Sequence, residues 1–366
     1  MEELSISQSI GRTKFKFVLA VQNKKYEKAM SLAESKLNLF PAPIISVDNN
    51  NMVLCEALLK IGWDPNETRK RDGATALHSA ITNRNLEIIS ILLTYGAIVA
   101  KRDSGGSLPI SRNLKQRMDA TGRNIFRVVA RHMKEEDFRG SNEHGESLLH
   151  VASKNNTVPI SVYQFLIGTG IDVNAKDAYT GRNFLMDLII WCSNEDIIHK
   201  VWELASEAGL DVRQPDTFGT TLLHRLASEE REETLHWVLD NKDIGIRVRN
   251  CNGQSAMWLA CKRGNMESVR MLYKMGETFV GNAYEFPGGT GQSPFDIAST
   301  NQREEIASLV QMYTGEGLTK RKVRDLRWLA RETVREAMAG QGTNIWPKVQ
   351  QLELPTSLKA FLVELD

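Results

Sequence analysis

The sequence predicts an all-α fold, a solenoid of stacked helical hairpins, and two observations carry that prediction. The first is residues 73–97, GATALHSAITNRNLEIISILLTYGA, which hold two apolar sets at helical spacing on either side of a polar break. Leu77, Ala80 and Ile81 make one set, and Ile88, Ile89, Leu92 and Leu93 make the other. Two helices this short cannot cover their own apolar faces, so the hairpin needs copies of itself stacked beside it. The second observation is that the copies are present. A glycine followed two residues later by Ser, Thr or Asn stands at Gly73, Gly105, Gly145, Gly181, Gly219, Gly253 and Gly291, at steps of about 32 to 40 residues.

In chain order, FKFVLAVQNKKYEKAMSLAESKL reads as helix, turn, helix with its break at residues 23–25, a divergent first repeat or cap over residues 1–39. The next unit, APIISVDNNNMVLCEALLKIGWDPN, fits the hairpin template at Pro43, Ile44, Leu58, Leu59, Gly62, Asp64 and Pro65. In the third, Thr75 stands where a hydroxyl caps the first helix and Gly96 where a left-handed residue ends the second. Later units close in the same way, as GIDVNA at Gly170 and GLDVR at Gly209.

Two stretches depart from the spacing. Between Gly105 and Gly145 extra polar residues precede FRVVARHM, so over residues 106–124 either the first helix is broken or a loop bulges out. Residues 277–292, ETFVGNAYEFPGGTGQ, combine glycines with Tyr284 and Phe286. They read either as an aromatic-tipped finger for partner contact or as a drifted repeat junction.

The 46 basic residues nearly balance 45 acidic ones, so no global field points to nucleic acid. Cys55, Cys192, Cys251 and Cys261 show neither a zinc spacing nor a disulfide framework. The first residues lack the apolar core of a signal peptide, and no stretch reaches the roughly 18 apolar residues of a membrane span. These readings predict a cytoplasmic or nucleocytoplasmic protein without a membrane partner. No Ser-His-acid cluster or metal spacing emerges, and GGTG at residues 288–291 lacks the lysine and the preceding strand of a phosphate loop. No catalytic residue, metal site or cofactor is expected. Trp191, Trp202, Trp237 and Trp258 fall inside helical units, where core or groove packing is expected.

The hexads GATALH at Gly73, GESLLH at Gly145 and GTTLLH at Gly219 resemble those of the ankyrin repeat family, with drifted copies GRNFLM, GQSAMW and GQSPFD. That family's unit is a turn plus two antiparallel helices. The resemblance implies an array over residues 40–316 of about eight units, several of them degenerate. It also makes His78, His150 and His224 structural, because the family uses this histidine to hydrogen-bond turns between neighbouring units.

From Lys320 a different pattern begins. KRKVRDLRWLARETVREAMAG is one amphipathic helix with Leu326, Leu329, Ala330, Val334, Ala337 and Met338 on a face, followed by the connector QGTNIWPKVQQ and the closing LELPTSLKAFLVELD. Residues 317–366 are too few for a core of their own. They resemble the SOCS box that follows ankyrin arrays in the ankyrin repeat and SOCS box proteins. What that resemblance implies is a small helical tail in which Leu326, Leu329, Ala330 and Val334 meet elongin B and C, through elongin C. Ala330 stands where the family has cysteine. Leu352, Leu354 and Pro355 match its cullin-choosing motif, with Glu353 in place of a proline. The same resemblance implies a non-catalytic substrate receptor of an elongin-cullin-RING ubiquitin ligase, acting in protein ubiquitination and intracellular signal transduction. A capping helix on the last repeat, and with it a plain ankyrin scaffold, is the other reading. Residues 320–322 read as a nuclear signal, a phosphate patch or the solvated face of the helix.

Overall fold

A computed structural model describes residues 42–229, 231–241, 244–277, 301 and 304–315, with single positions at 16, 20, 27, 28, 31, 297 and 298. Every regular element among the described residues is a helix, and one isolated bridge, Thr68 to Thr75, is the sole β pairing there. The contacts divide the chain into two units, one ending at Leu222 and one starting at Leu223.

In the first unit the hairpins are α1 (Ala42–Asp48) with α2 (Met52–Lys60), α3 (Ala76–Thr82) with α4 (Leu86–Thr94), and α5 (Pro109–Leu114) with α6 (Ala120–Ala130). A single turn, α7 (Glu135–Phe138), follows, and then come α8 (Leu148–Ser153) with α9 (Ile160–Gly168) and α10 (Phe184–Trp191) with α11 (Glu195–Glu207). First helices stack in one row, α1 on α3, α3 on α5, α5 on α8 and α8 on α10. Second helices stack in another, α2 on α4 and α4 on α6, then α9 on α11. The core lies where the rows meet. Leu77, Ala80, Ile81, Ile88, Ile89 and Leu92 are fully buried, while Leu93, expected on the same face, is half-buried. Ala20 joins Ala42, Leu54, Leu58 and Trp63 in the cluster at the first hairpin.

The helix α12 (Leu222–Ser228) leads into the second unit, which continues with α13 (Glu232–Asn241), α14 (Ala256–Arg263), α15 (Met266–Lys274) and α16 (Glu304–Gly315). There α14 packs on α15 and α15 on α13. Leu223, Leu226, Leu235, Val238, Met257, Cys261, Val269 and Leu272 are buried.

The first helices α3, α5, α8, α10 and α14 are capped in three ways, and the hexad sequence decides which. Where the sixth residue is histidine, the imidazole supplies the cap: the Thr75 N–H donates to His78 Nδ1 at 3.1 Å and the Ser147 N–H to His150 Nδ1 at 3.2 Å. Where that residue is apolar, the cap side chain accepts directly, as Asn183 does from the Met186 N–H at 3.0 Å and Ser255 from the Trp258 N–H at 3.2 Å. At α5 the cap is Leu108, which makes no such bond, and Pro109 at the first helical position has no N–H to satisfy.

That third case corrects the register expected at Gly105. The turn glycine of this unit is Gly106, at φ +70°, so its hexad is GSLPIS and Ser111 takes the histidine position. The extra length before Gly145 is also placed differently. α5 is short but unbroken, residues 120–124 belong to α6, and the added residues form the extended α6 and the turn α7. Asp119 explains the early start, because its carboxylate accepts from the Gly122 N–H at 3.0 Å and caps the helix. The stretch 277–292 lies outside the described residues except for Glu277, as do Leu326, Leu329, Ala330, Val334, Leu352, Leu354 and Pro355.

Candidate functional site

An array of this kind presents its turns in a row, and here the chemistry of each turn is set by an Asp or Asn side chain. Asp103 accepts from the N–H groups of Gly105 and Ser107, Asn142 from those of His144 and Glu146, and Asp216 from those of Phe218 and Thr220, all between 2.8 and 3.1 Å. Asp177 does the same for Tyr179 and Thr180. In the second unit Asn250 accepts from Asn252 and Gln254. Burial raises the Asp103 and Asp177 carboxyls. Bonds from Arg112 and Ser107 in the first, and from Thr180, Tyr179 and Arg182 in the second, outweigh it and hold both below the usual range.

Within the first unit each turn is also bonded to the one before. The Ser104 N–H donates to the Asp72 carbonyl at 2.9 Å, Glu143 to Gly105 at 3.1 Å, Ala178 to His144 at 2.8 Å and Thr217 to Thr180 at 3.0 Å. Close approach makes three of these turn glycines necessary: a Cβ on Gly73 would sit 2.7 Å from the Ser104 nitrogen, one on Gly145 2.7 Å from that of Ala178 and one on Gly181 2.9 Å from that of Thr217. The histidines bind the turns of their own unit from inside, His78 and His150 in the first and His224 in the second. His78 Nε2 lies 3.1 Å from the Ser107 carbonyl, His150 Nε2 3.0 Å from that of Arg182, and His224 Nε2 3.1 Å from that of Gln254. With Nδ1 of His78 and His150 accepting from the cap N–H, the proton is assigned to Nε2, which donates. The structural role expected of these three residues is therefore what the geometry gives.

The tips of the ladder face outward. His144, Tyr179 and Phe218 are exposed on three successive turns, and His144 Nδ1 lies 3.1 Å from the Tyr179 hydroxyl. Aromatic side chains held on a rigid backbone are the residue types that anchor protein interfaces. The tryptophans divide: Trp202 and Trp258 are buried and Trp237 is half-buried, but Trp191, at the end of α10, is 55% exposed.

The perturbed acids elsewhere do not assemble into chemistry. Asp187 is buried with its carboxyl raised by desolvation, which Lys154 at 3.5 Å and Arg182 at 3.7 Å offset in part. Arg182 stands in the turn that opens α10 itself, whereas Lys154 ends α8, so it is Lys154 that ties the cluster to the preceding repeat. Among the described residues no group of three or more His, Cys, Asp or Glu side chains could hold a metal ion, and no helix is long and apolar enough to cross a membrane.

The ankyrin repeats family profile matches in three copies, over residues 17–107, 188–283 and 223–319, which together cover more than half of the chain. Potassium channel AKT1 of Oryza sativa subsp. indica and that of Oryza sativa subsp. japonica are each 37% identical to this chain over 65 residues. That stretch is 18% of this chain and 7% of each channel, so the likeness extends to a short part of those relatives. Stacked hairpins, the capping histidines and the bonded turns agree with the profile: the chain belongs to the ankyrin repeat family, and its repeats are a protein–protein interaction module.

Proposed function

We propose that this chain is a substrate-recognition adaptor of an elongin-cullin-RING ubiquitin ligase. The turn ladder holds a target protein, and the tail recruits elongin B and C with a cullin. The target half is supported by the ankyrin repeats and by the exposed row of His144, Tyr179 and Phe218. The observation that carries the recruiting half is the tail sequence: Leu326, Leu329, Ala330 and Val334 on one helical face, then Leu352, Leu354 and Pro355 near its end. In this reading the chain carries out no bond chemistry. It raises the local concentration of target lysines near the ubiquitin-loaded enzyme.

A plain interaction scaffold is the second reading, because the ankyrin repeats account for partner binding without the tail. A pull-down with purified elongin B and C separates the two, comparing the intact chain with Leu326→Glu and with a truncation after Gly315. Capture by the intact chain alone supports the adaptor. Capture by no form, with the repeats folded, leaves the scaffold.

A further inference from the structure

The second helices of the first unit carry a feature that the turn ladder does not explain. Between α6 and α9 lies a groove of about 310 Å³, floored by Phe126, Val162 and Phe165 and edged by Arg123, Arg127 and Arg131. The floor is fixed from below. Phe165 meets Phe126 edge-on at 5.6 Å and Phe138 of α7 edge-on at 5.4 Å; Phe138 is buried, whereas Phe165 remains 42% exposed. The turn inserted into this repeat thus supplies the aromatic support for the groove.

The edge is a line of like charges. The three arginines recur every four residues, are exposed, and form no ion pair among the described residues. Arg123 donates to the Met118 carbonyl at 3.1 Å and Arg127 reaches the Asn124 side chain at 3.5 Å. The facing helix α9, ISVYQFLIG, has no charged residue to answer them. Nearby acids are engaged: Glu135 lies 3.9 Å from Arg139, Glu136 lies 3.4 Å from Lys134, and Asp137 accepts from the Lys134 N–H.

We propose that the α6–α9 groove is a second docking site, for a protein segment that carries an aromatic or aliphatic anchor flanked by carboxylates one helical turn apart. The anchor covers the exposed face of Phe165, and the carboxylates pair with the arginines, for which guanidinium geometry is suited. A simple polyanion would meet the charges and leave the apolar floor wet, so the protein segment is the better match.

The test is fluorescence anisotropy on the full chain with four probes. One is a labelled helical peptide with a central Phe-Leu anchor and Glu four residues to either side; the second has Gln for both Glu; the third is polyglutamate; the fourth is phosphatidylserine vesicles. The expected result is saturable, salt-weakened binding of the first peptide, about tenfold weaker for the Gln peptide and for Arg127→Glu protein. Arg127 is exposed and helical, so that variant keeps its fold, which a denaturation curve verifies. A Phe165→Ala variant should weaken the peptide and leave polyglutamate unchanged. No saturable binding of the first peptide, binding unaffected by Arg127→Glu, or equal binding of polyglutamate or vesicles overturns the proposal.

Discussion

Replacing His78 with leucine tests the physical account of the repeat ladder. The imidazole is 1% exposed and accepts the Thr75 N–H, itself buried, while Nε2 donates to the half-buried Ser107 carbonyl of the next turn. Leucine has similar bulk and neither bond. An orphaned buried N–H costs about 1–3 kcal/mol, and loss of the bond to a partly hydrated carbonyl about 0.5–1.5 kcal/mol. The added apolar burial of leucine returns part of this, which leaves a net loss of about 2–3 kcal/mol. Urea denaturation of the full chain at pH 7.5 should show it as a lower midpoint at unchanged slope for the transition of the first unit. A second reading comes from pH. Burial holds the His78 imidazole below its ordinary value, and the Ser107 carbonyl and Asp103 do not fully offset it. Below about pH 6.5 the unfolded imidazole therefore binds more protons than the folded one, and stability falls on acidification. The leucine variant lacks this contribution and should lose less stability between pH 7 and 5 than the parent does. A cost under about 0.5 kcal/mol, or identical acid sensitivity in both proteins, would refute the assignment of His78 as the link between turns.

Three further perturbations follow from burial and backbone geometry. Leu223→Glu puts a charge at a position 1% exposed and should cost about 4 kcal/mol or more, read as loss of the cooperative transition of the second unit. Gly122→Ala should destabilise although it improves helix propensity, because the new Cβ would stand 2.6 Å from the Arg117 carbonyl oxygen; a drop of about 1–3 kcal/mol in thermal or urea unfolding is expected. Glu277 is fully buried, and desolvation raises its carboxyl to about 7 against the lowering effects of Ser255, the Met257 N–H, Arg249 and Arg247. Its folded pKa exceeds the unfolded one near 4.5, so ionisation costs stability progressively from about pH 4.5 to 7, and Glu277→Gln should be stabilised relative to the parent at pH 8 but not at pH 4.

The repeat itself is readable in the sequence because its two requirements are local. Apolar residues at helical spacing need only neighbours in the chain, and Gly73, Gly145, Gly181, Gly219 and Gly253 all adopt positive φ, where a side chain is strained. The turn carries a further local signal, an Asp or Asn three residues before the glycine at Asp103, Asn142, Asp216 and Asn250, which glycine spacing alone does not use. It would have fixed Gly106, not Gly105, as the turn residue. The polar break between helices is less transparent. Asn51, Asn85 and Asn194 cap second helices, while Asn83 and Asn155 donate to carbonyls of the preceding repeat, at Val47 and at Leu114 and Gln116. The caps are local, but Asn83 and Asn155 in a short polar run read simply as loop, because their partners lie more than 30 residues away.

The long repeat shows where local reading stops. Residues 119–124, DATGRN, have loop composition, and only the Asp119 cap and a partner from the previous hairpin make them helix: Arg84, itself left-handed at φ 56°, pairs with Asp119 and donates to the Arg117 carbonyl at 2.6 Å. An added turn then brings Phe138 under Phe165, while stacking brings Phe165 to Phe126; neither contact is implied by spacing along the chain. The arginines were visible as residues, but nothing in their sequence neighbourhood says that α9 would face them without a charge. In a solenoid the hairpin is specified within a repeat, whereas a groove is specified by what consecutive repeats fail to bury, and that difference is fixed only once they stack.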